Sequence, residues 1–66
     1  MLKVGTLIKV LNPKYAMGLQ GKIVARESAE RWIVKLQKNP LEDSDRPFLL
    51  SLGIADFQLI ESESNN

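Results

Sequence analysis

The chain contains no histidine and no cysteine. The usual general bases near neutral pH and the soft nucleophiles are therefore missing. So are the two commonest zinc ligands and any disulfide. Carboxylates and lysines remain, but no pair of them stands in a pocket-forming context. No Walker or Rossmann glycine loop is present either. These absences point away from catalysis, and neither a cofactor nor a resident metal is expected.

The residue types that remain suit binding. Lys9, Lys22, Arg26 and Lys35 are expected to point outward on neighbouring strands, and Tyr15 sits in a loop between two of them. Net charge is only +1, but it is unevenly distributed. Residues 1–26 carry +5 with no acid, residues 27–38 carry +1, and residues 39–66 carry −5. A split of that size hints at a charged partner, unless the fold brings the halves together and neutralises them. Glu42, Asp43 and Asp45 raise the question of calcium. An EF-hand loop counted from Asp43 would need glycine at Phe48 and glutamate at Ile54, so the expectation is a solvated acidic loop. The run from Gly18 to Gly21 has the Gly-x-x-Gly form of a backbone-clamping loop, but that loop needs flanking helices and these flanks read as strands. The two glycines are better explained as the positive-φ positions of a turn or bulge.

The elements that must carry these residues are short. Thr6–Leu11 reads as a first strand, with Ile8 and Val10 on one face and Leu7, Lys9 and Leu11 on the other. Asn12 and Pro13 end it. In the following loop, Tyr15 and Met17 are expected to pack as a lid on the core. The alternative is an adhesive loop offering an aromatic ring and a thioether to a partner. Lys22–Arg26 is the second strand, Glu27–Glu30 a turn, and Arg31–Gln37 the third strand. Ala29, Trp32, Ile33 and Leu36 also fit helical spacing, and Ser28 could cap such a helix. The adjacent Ile33 and Val34, and the hairpin formed with the preceding strand, favour a strand. Lys38–Pro47 is a loop by composition. Phe48–Leu52 is a fourth strand, Gly53–Phe57 suits one 3₁₀ turn, and Gln58–Ile60 closes the domain. Residues 61–66 are polar and acidic and are expected to be a disordered tail.

Sixty-six residues make one small domain. Five short strands suggest an all-β fold, a small closed or half-closed barrel over residues 1–60, because closure hides edge strands. The expected core is Ile8, Val10, Ile23, Ala25, Trp32, Val34, Leu36, Leu50, Leu52, Phe57 and Leu59. The pattern Gly5-x-x-Ile8-x-Val10, Gly21-x-Ile23, Trp32-x-Val34-x-Leu36, Phe48–Leu52 and Asp56-Phe57-x-Leu59-Ile60 resembles an SH3-like barrel of the KOW type. It is most similar to small accessory subunits of photosynthetic electron-transfer complexes: subunit S of the photosynthetic NAD(P)H-dehydrogenase-like complex and subunit IV of photosystem I. The run Val10, Asn12, Tyr15, Gly21-Lys22-Ile23 carries the likeness to the first.

That resemblance implies a five-stranded SH3-like barrel with a short 3₁₀ turn before the last strand. It implies a non-catalytic adaptor or accessory subunit of a larger assembly, docking an acidic electron carrier such as ferredoxin through basic side chains. The alternative is a KOW-like nucleic-acid-binding barrel, in which the same cations meet phosphates and Tyr15 stacks on a base. A pI of about 8.1 falls short of the strongly basic footprint that reading wants. A peptide binder of the signalling SH3 type would need several exposed aromatics, and Tyr15 alone does not supply them. No apolar run is long enough to span a membrane and no signal-peptide pattern opens the chain, so the expected location is cytoplasmic or peripheral to a membrane complex.

Overall fold

A computed structural model of the chain describes residues 2–41 and 46–60. They form one five-stranded antiparallel sheet: β1 (Leu7–Val10), β2 (Gln20–Arg26), β3 (Arg31–Leu36), β4 (Phe48–Gly53) and β5 (Phe57–Leu59). Two 3₁₀ turns interrupt it, at Lys14–Ala16 and Ile54–Asp56. The strand order is β4-β3-β2-β1-β5, so the last strand returns to pair with the first. The hydrogen-bonded sheet is not closed, and β4 and β5 form its two edges. The expected 3₁₀ turn before the last strand is present, and residues 31–36 are a strand rather than a helix.

Alternation decides the faces. Ile8, Val10, Ile23, Trp32, Val34, Leu36, Leu52 and Phe57 turn inward and form one core with Ala16. Ile8, Val10, Ile23 and Val34 are fully enclosed. Burying a side chain of this kind stabilises the fold by about 1.5–3 kcal/mol. No second sheet covers this face among the described residues. Leu2, Leu19, Phe48 and Leu50 pack around it instead.

Three expected core residues are not fully buried. Leu50 is half-buried and packs against the core, and Leu59 is exposed, although Leu52 and Phe57 on the same two edge strands are buried. Ala25 is exposed because of a bulge. Ile23 pairs with Val34, but Ala25 pairs with Ile33. Val24 is the extra residue, and it reverses the inward–outward alternation for the rest of β2.

The first loop also differs from the lid expectation. Ala16 is the buried residue of its 3₁₀ turn, while Tyr15 and Met17 on either side are exposed. Gly18 takes a φ of 89° and donates its N–H to the Val10 carbonyl at 2.8 Å, which closes the loop. Gly21 has a different job from the turn role expected of it. An added Cβ there would stand 2.7 Å from Val34 Cγ1 and 2.9 Å from the Lys35 carbonyl. Its missing side chain lets β2 lie close against β3. At the other end, the Asp56 carbonyl accepts from the Leu11 and Asn12 N–H groups at 2.8 and 3.1 Å, tying the second 3₁₀ turn to the exit of β1. The Asp56 carboxylate accepts from the Gly53 N–H at 3.0 Å.

Candidate functional site

The outer face of the sheet carries the candidate site. Leu7 on β1 stands opposite Lys22 on β2. Lys22 stands opposite Lys35 on β3, and Lys35 opposite Leu49 on β4. The result is a row across four strands, reading leucine, lysine, lysine, leucine. Adjacent strands lie ~4.8 Å apart, so the two lysines are direct cross-strand neighbours. Like charges placed directly opposite each other are destabilising. Neither lysine side chain has a hydrogen-bond or ion-pair partner among the described residues, and the same holds for Lys9.

Lys9 belongs to the next row on the same face. It stands opposite Gln20 on β2 and Gln58 on β5. The Gln37 N–H donates to the Gln20 carbonyl at 3.1 Å, which extends this row to the end of β3. These two rows therefore hold three lysines, glutamines and two exposed leucines, with no acid. Leu7, Gly21, Lys22, Val24, Lys35, Leu36 and Gln37 line a shallow open groove of about 350 Å³ between the lysines. Val24, two residues after Lys22 and on the same face by alternation, lines that groove.

Arg26 was expected beside these lysines, and the bulge removes it. It pairs with Trp32, on the face opposite Lys22. Its guanidinium carbon lies 5.2 Å from the Trp32 ring centroid, a cation–π arrangement. Its Nε donates to the Ser28 carbonyl at 3.1 Å, and a terminal nitrogen donates to the Ala29 carbonyl at 3.4 Å. Arg26 thus closes the β2–β3 turn. Arg31 is engaged too. Its Nε donates to Ser51 Oγ at 3.3 Å and its Nη2 to the Ser51 carbonyl at 3.0 Å. Ser51 Oγ in turn donates to Glu27 Oε1 at 2.5 Å. This polar chain ties the turn end of the hairpin to β4.

Tyr15 lies on the first 3₁₀ turn, 52% exposed, on a different element from the lysine rows. The structure therefore brings Lys9, Lys22 and Lys35 together and places Arg26 and Tyr15 elsewhere. Leu7, Val24 and Leu49 complete the face without having been singled out. Their signal was register: once β1 to β4 are paired, the two leucines fall in line with the two lysines.

No group of three or more acidic, histidine or cysteine side chains could hold a metal among the described residues. Glu42, Asp43 and Asp45, which prompted the calcium question, lie outside those residues, as does the expected tail at 61–66. No described helix is long and apolar enough to cross a membrane. The chain matches no family model, no curated protein and no solved structure.

Proposed function

We propose that this chain is a non-catalytic protein-binding module, an accessory or adaptor subunit that docks an acidic partner on the outer face of its sheet. The observation that carries this reading is the opposed pair Lys22 and Lys35. Two cations stand face to face in mid-sheet, a third is one row away, and none has a partner among the described residues. Such an arrangement costs the free fold something. An anionic surface laid over it would relieve the repulsion and gain charge-assisted contacts. The flanking Leu7 and Leu49 add apolar area at the rim, which favours a folded protein surface over a bare phosphate chain.

The fold behind this face reads as a half-open SH3-like barrel. Its support is the single core to which every strand contributes, the return of β5 to β1, and the 3₁₀ turn that precedes β5. The resemblance to accessory subunits of photosynthetic electron-transfer complexes carries the reading one step further, to an acidic electron carrier of the ferredoxin type as the partner.

The test is a salt series on the purified domain, with an acidic carrier of that type in one arm and random-sequence RNA in the other. The expected result is binding to the carrier that weakens as salt screens the lysines, with little affinity for RNA. RNA binding with a salt slope of several released counterions, and no affinity for the carrier, would replace this reading with the nucleic-acid one.

A further inference from the structure

The row Leu7, Lys22, Lys35, Leu49 has a spacing as well as a charge, and the spacing selects among partner elements. Resting on the docking reading above, we propose that the element received by this face is an acidic amphipathic helix lying across the strands. It would present apolar, acidic, acidic and apolar side chains in that order. Three steps of one strand spacing make the row ~14 Å long. On a helix rising ~1.5 Å per residue, side chains separated by four, three and four positions share one face and span ~16 Å. An extended strand repeats a face every second residue, ~6.7 Å apart, so four such side chains span ~20 Å. The helix misses the row by ~2 Å and the strand by ~6 Å, taking the same spacings. Centred on the row, the helix misplaces each outer apolar position by ~1 Å and the strand by ~3 Å. Those outer positions face Leu7 and Leu49, whose short branched side chains follow the smaller offset and not the larger one.

The chemistry of the row agrees. The two central positions call for carboxylates, because Lys22 and Lys35 lack other partners among the described residues. The two outer positions call for aliphatic side chains, because Leu7 and Leu49 are 43% and 57% exposed. Val24 and the open groove between the lysines give the helix a floor. The neighbouring row, Gln37, Gln20, Lys9 and Gln58, provides a polar rim with one further cation that suits the flank of an acidic helix.

Two synthetic peptides that carry the same four face residues test this. The first has leucine, glutamate, glutamate and leucine separated by four, three and four positions, and is held helical by a side-chain staple on its far face. The second carries the same four residues at every second position, unstapled. Binding is followed by titration calorimetry, with the fluorescence of Trp32, the one tryptophan of the chain, as the check that the fold is kept. The helical peptide should bind at least about tenfold more tightly than the alternating one, a gap of ~1.4 kcal/mol. That advantage should vanish in Lys22→Glu/Lys35→Glu. Equal affinity for both peptides would overturn the helix while leaving an acidic partner in place. Failure of both peptides and of the acidic carrier would overturn the docking reading itself. A helical advantage that survives the double charge reversal would place the binding on another surface and overturn the proposal.

Discussion

At the turn end of the β2–β3 hairpin, Arg26 and Arg31 are both engaged by the fold. Arg26 stacks on Trp32 and holds two turn carbonyls, and Arg31 reaches across to Ser51. At the other end of the same two strands, Lys22 and Lys35 face each other and hold nothing among the described residues. Four cations on one hairpin thus divide into a structural pair and an available pair. The chemistry of the two residue types matches the division. A guanidinium is a flat fork that can stack and bond several carbonyls at once, whereas an ammonium is a solvated point charge on a flexible stem. The bulge at Val24 sets the boundary between the two ends, because beyond it the outward parity of β2 reverses and Arg26 turns toward the tryptophan.

The comparison breaks most visibly at the structural end. Trp32→Ala removes the ring beneath Arg26 and one of the largest core side chains, and should cost about 3–5 kcal/mol in urea unfolding. In a domain this small such a loss leaves much of the chain unfolded. At the available end, Lys9→Glu, Lys22→Glu and Lys35→Glu combined should weaken capture of an acidic partner by well over tenfold, with the circular dichroism spectrum retained. Unchanged capture with the fold intact would remove these lysines from the account.

Smaller effects sharpen the same division. Arg31→Ala breaks the link through Ser51 to Glu27 and should lower stability by about 0.5–1.5 kcal/mol, with affinity for the acidic partner unchanged within error. Arg26→Lys keeps the charge but loses the planar stack and the forked bonds, and should cost about 0.5–1 kcal/mol. A loss of partner affinity from either substitution, at unchanged fold, would show that the turn end also belongs to the docking face.

Much of this arrangement was legible in the sequence, and the exceptions have physical causes. Strict alternation exposed the inward faces of β1 and β3, so Ile8, Val10, Trp32, Val34 and Leu36 fell where the pattern put them. The choice of strand over helix for residues 31–36 followed from β-branching and from the hairpin formed with β2. Alternation failed at Ala25 and Arg26, because one inserted residue reverses parity and nothing in the composition of Lys22–Arg26 announces it. It failed at Leu50 and Leu59 because a period-two pattern marks a face without telling how far along an edge strand the core reaches: Leu52 and Phe57, on the same two strands, are buried. Ala16 was missed because a three-residue turn is too short to show any period, and its larger neighbours Tyr15 and Met17 were the more obvious candidates for burial. The basic character of the outer face was visible, since Lys9, Lys22 and Lys35 all alternate with core residues. The leucines that frame it depend on the pairing of β1 with β2 and of β3 with β4, which no single strand carries in its sequence.

The central claim is that Lys22 and Lys35 repel each other in the free protein and are kept for a partner. The single substitution Lys35→Glu tests both halves at once, by urea unfolding and by titration with the helical acidic peptide. It turns a like-charge cross-strand pair into an opposite-charge one, so stability should rise by about 0.2–1 kcal/mol. In the same variant, affinity for the peptide should fall by at least about tenfold, ~1.4 kcal/mol. A loss of stability would show that the two lysines do not oppose each other in the fold. An unchanged affinity would show that they are not where the partner binds.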